Sequence, residues 1–170
     1  MAKKKSATKP APKSAKPAKK PAAKKSASPP APAYPGNPQP ISTGKGASAE
    51  QIGKQLIASF NAGKWQLNSK LWSKDLVGIE GGGMLWKGYK NVQLKNKFWS
   101  KGNTPLGGHA EGPYVGATGF SVKFRMDIKD NTTGRRTNME EIGVYTVLNG
   151  MIIQEEFMYG SMTPAEAAHP

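Results

Sequence analysis

The chain has 170 residues, with 25 Lys and Arg against 11 Asp and Glu, and no cysteine, which excludes a disulfide framework and thiolate chemistry. Its charge is unevenly placed: no acid precedes Glu50 and eleven lysines lie between Lys3 and Lys45, so the remaining fourteen basic residues face all eleven acids, and only about +3 of the formal +14 belongs to the rest. No run approaches the roughly 20 apolar residues of a membrane span, and neither an apolar leader nor an Arg-rich amphipathic one opens the chain; no membrane partner and a cytoplasmic location are the expectation.

Residues 1–45, rich in Lys, Ala, Pro and Ser, contain almost no large apolar side chain. Such a segment cannot offset the entropy of ordering, and its prolines interrupt any helix that the Ala-Lys runs would start, so a disordered basic tail is predicted. A folded domain is expected over 46–160 and a flexible C-terminus over 161–170. Ser48-Ala-Glu-Gln51 has the spacing of a capping box. Ile52, Leu56, Ile57 and Phe60 follow at helical spacing, and Gly63 stands where a helix would end. A short second helix is predicted across Trp65 to Trp72 and a third over "YKNVQLKNKFWSKG", with Val92, Phe98 and Trp99 on its apolar face.

The period then changes from about 3.6 to 2. In "GFSVKFRMDIKD", Phe120, Val122, Phe124, Met126 and Ile128 alternate with Ser121, Lys123, Arg125, Asp127 and Lys129, the pattern of a half-buried strand. "TNMEEIGVYTV" and "MIIQEEFMYG" read as two more strands joined at Asn149-Gly150, a hairpin signal. Helices first and antiparallel strands after make an α+β fold, with three helices on one face of a curved antiparallel sheet. The last two strands carry large residues on both faces, Ile142 and Val144 against Tyr145 and Val147, and helices cover only one; a homodimer through the outer face is the expectation.

Glu80 ends an apolar run and precedes three glycines. A carboxylate there reads either as a solvated charge before a turn or as a base at the lip of a pocket, where desolvation would raise its pKa into a useful range. The tandem acids Glu140-Glu141 and Glu155-Glu156 each send one side chain to each face of a strand; which member faces inward stays open. His109, in "LGGHAEGPY", is either a pocket histidine or a strand-start residue. Two histidines and no cysteine give no metal-ligand cluster, and no cofactor is called for.

"FNAGKWQLNSKLWSKDLVGIE", the spaced Gly88 and the final hairpin resemble the SnoaL-like branch of the nuclear transport factor 2-like superfamily, which includes ketosteroid isomerase and limonene epoxide hydrolase. The resemblance covers about residues 48 to 160 and implies a cone-shaped α+β barrel with a pocket in its open end. Laid on the isomerases, Glu80 takes the place of the catalytic base, while Leu56 takes that of the oxyanion-donating tyrosine. Laid on the epoxide hydrolase, Arg125, Asp127 and Glu156 take the place of its Arg-x-Asp and second acid, although strand alternation turns Arg125 and Asp127 away from the apolar face and favours a cross-strand ion pair. Laid on the cyclases, His109 with Glu141 or Glu156 supplies the acid and histidine of an aldol-type closure.

The resemblance therefore implies binding of a small apolar ligand, walled by Trp65, Trp86, Trp99 and Tyr145, with acid-base isomerase, cyclase or hydrolase chemistry by Glu80, Glu156 and His109. The tail resembles the Lys-Ala-Pro tails of linker histones and bacterial histone-like proteins. It supports the alternative, a dimeric protein that is not an enzyme and contacts nucleic acid non-specifically through phosphate neutralisation.

Overall fold

A computed structural model describes residues 41–64 and 70–165. The predicted tail up to residue 40, the span 65–69 with the candidate wall residue Trp65, and the last five residues lie outside the described residues.

The first helix, α1 (Ala49–Asn61), opens on the predicted capping box: Ser48 Oγ accepts from the Gln51 N–H at 3.2 Å and Gln51 Oε1 accepts from the Ser48 N–H at 2.9 Å. Ile52 and Leu56 are its buried stripe, and Gly63 adopts a positive φ just beyond its end, the position that glycine fills without a Cβ penalty. The predicted middle helix is not among the described elements. Leu71 and Trp72 are buried, as the apolar pattern requires, but Trp72 opens the strand β1 (Trp72–Ile79). Three aromatic or β-branched residues, Trp72, Val77 and Ile79, and Gly78 favour a strand from Trp72 onward, and pairing to a neighbouring strand decides the matter. After β2 (Leu85–Lys87), the second helix among the described residues, α2 (Tyr89–Gly102), covers the predicted third helix.

Four long strands complete the chain: β3 (Asn103–Val115), β4 (Gly119–Asp130), β5 (Arg136–Leu148) and β6 (Met151–Pro164). The predicted antiparallel meander is present, but the six-stranded sheet is mixed: its order is β2-β1-β6-β5-β4-β3, and β1 runs parallel to β6. A parallel pair needs a long crossover, and the chain between β1 and β6 supplies one that sequence periodicity does not reveal. Asn149 and Gly150 both take positive φ, the geometry of the two-residue turn that the Asn-Gly pair favours. Residues 162–164 remain paired with β5, and the segment just before α1 hydrogen-bonds back to the hairpin, Asn149 N–H donating to the Thr43 carbonyl at 2.8 Å.

Both helices lie on one face of the sheet, called the inner face below. Phe60 of α1 packs on Phe124 with ring centroids 4.8 Å apart, and Val92 of α2 stands over Gly78, where a Cβ would approach it to 3.0 Å. Phe120, Val122, Phe124 and Met126 point inward from β4, as their alternation predicts. Gly119 is the tightest point of the sheet: a Cβ there would fall 1.8 Å from the Tyr145 carbonyl oxygen. Backbone cannot yield as a flexible side chain does, so Gly119→Ala should destabilise the domain by about 1–3 kcal/mol and lower Tm by roughly 4–12 °C. Gly107→Ala, where a Cβ meets nothing within 4 Å, should leave the melting curve in place; equal curves for the two variants would contradict the packing described.

Candidate functional site

The alternation of β5 and β6 decides which tandem acids face the helices. Tyr145 is buried, stacked on Phe120 at 4.9 Å, and it sits opposite Glu155 in the β5–β6 register. Its parity carries Glu141 inward as well, opposite Phe124 on one side and Tyr159 on the other. Between them Gly143 has no side chain, and a Cβ there would lie 2.7 Å from the Tyr145 hydroxyl; the glycine makes room for the phenol. Glu155 is 1% exposed. Its Oε2 accepts from the Trp72 indole N–H at 2.9 Å, and its Oε1 is buried without a hydrogen-bond partner.

Glu80 follows β1 directly, and its backbone closes the glycine-rich turn to β2: its N–H donates to the Met84 carbonyl at 2.9 Å and its carbonyl accepts from Gly83 at 2.8 Å. The three glycines thus serve the turn, and the turn fixes the acid. Its carboxylate accepts from the Lys95 ammonium through Oε1 and from the Tyr159 hydroxyl through Oε2. Lys95 projects from α2 one turn beyond Val92. Its ammonium also lies 3.6 Å from Glu155 Oε1 and stands over two aromatic rings, 5.7 Å from the Trp86 centroid and 5.2 Å from that of Phe157. The side chains of Lys95 and Glu80 are each only 13% exposed, so the pair is screened far less than a surface ion pair.

Two carboxylates, Glu80 and Glu155, therefore meet at one ammonium, and Glu141 faces inward beside them with no ion pair of its own among the described residues. Burial pushes the Glu141 carboxyl up to about 7, with the negative charges of Glu80 and Glu155 adding to the effect and Lys95 opposing it. Burial likewise raises Glu155, against the pull of Lys95 and the Trp72 hydrogen bond. The Tyr145 and Tyr159 phenols are pushed above their ordinary range, chiefly by burial and then by the neighbouring carboxylates. Among the described residues no group of three or more His, Cys, Asp or Glu is placed to hold a metal ion, and no helix is long and apolar enough to cross a membrane.

The family model of the SnoaL-like domain matches residues 47–159. The chain belongs to the SnoaL-like domain family. A candidate SnoaL-like polyketide cyclase from Mesorhizobium loti, also described as a carbohydrate phosphatase, is 30% identical in sequence and superposes with a TM-score of 0.59 over 66% of this chain and 100% of its own. A candidate polyketide cyclase from Pseudomonas putida is 14% identical (TM-score 0.54, covering 68% of this chain and 93% of that one). A candidate isomerase from Bacillus subtilis is 17% identical (TM-score 0.54, covering 66% and 86%). These last two likenesses show the fold alone. No curated protein shows significant similarity to the chain.

In this SnoaL-like domain the residues singled out in the sequence separate onto two faces. Glu80, Trp86 and Tyr145 lie at the inner cluster, with Tyr145 as its buried floor. Glu156 pairs with Val144 and Ile79 on the outer face, because Glu155 takes the inward register beside Tyr145. His109 sits opposite Arg125, also outward, on a concavity of about 530 Å³ shared with Asp127, Asn138 and Glu140. The His109–Glu156 and Arg125–Asp127–Glu156 constellations are thus not assembled with the inner acids. Arg125 bridges Glu140 at 2.9 Å and Glu111 at 3.1 Å, and Asp127 pairs with Arg136, the cross-strand pairing that alternation favours. Trp99 is 37% exposed on α2 and adds no described contact to the cluster, and Leu56 is a core residue.

Sequence reasoning missed Lys95, Glu141 and Glu155 as a set. Two signals pointed to them: Lys95 stands three residues after Val92 on the same helical face, and Tyr145 fixes the parity that turns Glu141 and Glu155 inward.

Two outcomes follow for stability. Removing the ammonium by Lys95→Met strands the inner carboxylates and should cost about 3–5 kcal/mol at neutral pH, read as a fall in denaturation midpoint that acidification relieves. For Glu141 the folded pKa lies above the unfolded value, so the folded state binds more protons between about 4.5 and 7, and stability should fall as pH rises through that window and level off above it. The carboxylates held low, Glu50, Asp130 and Glu140, act below that window. Glu141→Gln should flatten the slope and raise Tm at pH 8; an unchanged slope would contradict the assignment.

Proposed function

We propose that this SnoaL-like domain binds a small carbonyl compound at the mouth of its cone and moves a proton on it, as an isomerase or cyclase would. The observation that carries the reading is the inward-facing Glu141, which has no ion pair of its own among the described residues, beside the Glu80–Lys95–Glu155 cluster. A carboxyl poised near neutrality exchanges protons at little cost in either direction, which is the requirement for general acid-base work. Glu141 is the proton carrier: part of it is exposed, and burial of the rest, helped by the charges of Glu80 and Glu155, raises it to about 7. Glu80 is fixed by Lys95 and Tyr159, and the Tyr159 hydroxyl, whose proton goes to Glu80, offers the ligand its oxygen as an acceptor at the rim. Trp86, Phe157 and Tyr145 offer apolar walls to the body of the ligand.

The chemistry is removal of a proton from the carbon beside the carbonyl, giving an enolate. Return of the proton to another carbon completes an isomerisation; attack of the enolate on a second carbonyl completes an aldol closure. A panel of enolisable ketones in deuterium oxide tests this. The protein should speed α-deuteration of at least one ketone, and Glu141→Gln should reduce that acceleration by about 10²-fold or more with the circular dichroism spectrum unchanged. Acceleration that survives the substitution would remove Glu141 from the role.

A second reading concerns the eleven lysines ahead of residue 46, a stretch without one acid. In it the domain dimerises through its outer face, where Ile142 and Met158 are exposed cross-strand neighbours, and the lysines contact phosphate backbones. Log affinity for unrelated duplexes should then fall linearly with log salt at about 0.9 per neutralised phosphate, giving a slope near five if half the lysines engage. A marked preference for one sequence, or equal binding after deletion of the lysine stretch, would contradict it.

A further inference from the structure

We infer that the ligand taken at the cone mouth carries an ammonium group, seated beside Glu141 and against the aromatic rings of the rim. The inference rests on the same inner site as the proton-transfer reading and adds the charge of what binds there.

The first support is the charge count inside the cone. Glu80, Glu141 and Glu155 face one ammonium, and Lys95 is committed to two of them, Glu80 by a direct hydrogen bond and Glu155 at 3.6 Å. Glu141 has no hydrogen bond or ion pair among the described residues, although it feels the field of all three groups. The second support is independent of the count. Glu155 Oε1 is fully buried, lies over Gly78 on the inner face and has no donor within hydrogen-bond distance, the Lys95 ammonium standing 3.6 Å away, so this oxygen keeps acceptor capacity that the described donors do not fill. A buried acceptor left without a partner is costly, and a ligand N–H group relieves that cost directly or through a shift of Lys95 toward it.

The third support is the seat of Lys95 itself. An ammonium between carboxylates and over the faces of Trp86 and Phe157 is the environment in which cation–π attraction adds to ion pairing. The inner face already seats one ammonium in this way, and beside it Glu141 and Tyr159 are cross-strand partners, an acid next to an aromatic residue. An apolar ligand alone would leave Glu141 and Glu155 as they are; an anionic one would add to the excess of negative charge.

Binding a cation there favours the ionised form of Glu141. The groups facing it are Glu80 after β1, Lys95 of α2, Tyr145 of β5, and Glu155 and Tyr159 of β6. Near pH 7 complexation should therefore release up to about half a proton per site, read as a dependence of the calorimetric heat on buffer ionisation enthalpy.

The test uses three probes of one skeleton, 3-phenylpropylammonium, 3-phenylpropanol and 3-phenylpropanoate, titrated into the full-length chain and followed by NMR of carboxyl-labelled Glu. The cation should bind about tenfold or more tighter than the alcohol and the anion weakest, with the Glu141 signal moving and protons released. The preference should collapse in Glu141→Gln and persist in Glu156→Gln, which changes an outer-face acid; melting curves of both variants establish that they fold. Alcohol or anion binding as tightly as the cation, or a preference unchanged in Glu141→Gln, would overturn the inference. So would no movement of Glu141 with any probe. The deuteration assay on neutral ketones stands apart, so acceleration there with no cation preference would leave the proton-transfer reading intact and remove the ammonium alone.

Discussion

The contact on which this domain depends is the ammonium of Lys95 held between Glu80 and Glu155. It joins a helix to two strands far apart in sequence: Lys95 from α2, Glu80 at the exit of β1, Glu155 from the first half of β6. Taking these charges out of water is expensive, and an apolar trio of similar volume would serve stability as well or better. The cluster therefore reads as a functional expense of the fold. Its cost is limited by the devices around it: the Trp72 indole N–H, the Tyr159 hydroxyl, and the faces of Trp86 and Phe157.

The same constraint explains the small residues of the inner face. Gly78 lets Val92 and Glu155 approach, Gly143 admits the Tyr145 phenol, and the glycine-rich turn after Glu80 sets that acid at the lip. Substituting large residues at the first two would push the helix or the phenol away and open the packing whose burial, with the charges of Glu80 and Glu155 adding to it, keeps Glu141 near neutrality. Site and fold are here one packing problem.

How far the sequence revealed this differs from element to element. Helix α1 was legible because the Ser48–Gln51 box and its apolar stripe are local signals, and the hairpin at Asn149-Gly150 because its turn chemistry is local. The alternation of β4 was legible, and with it the outward ion pairing of Arg125. The parallel pairing of β1 with β6 was not, since nothing in Trp72 to Ile79 names its partner, and the helix expected across Trp65 to Trp72 meets the strand at Trp72. For the site, Glu80 was singled out by its position before the glycines. Glu156 and His109 were drawn from a family pattern, and register sends both outward; the choice between Glu155 and Glu156 is a matter of one residue, which is one whole face of a strand. Lys95 was hidden because a lysine on a helix ordinarily reads as a solvated charge, and only the strand acids beneath it make it an interior one.

The central claim is that burial beside Glu80 and Glu155, whose cation is Lys95, leaves Glu141 to exchange a proton near neutral pH. Carbon-13 NMR of the Glu side-chain carboxyls, assigned by single substitutions and followed from pH 3 to 9, tests it most directly. On this account the Glu141 signal titrates near 7 and moves down in pH when Glu80 is replaced by Gln, because one repelling charge is gone. A Glu141 midpoint in the range of an exposed carboxylate, indifferent to Glu80, would contradict it.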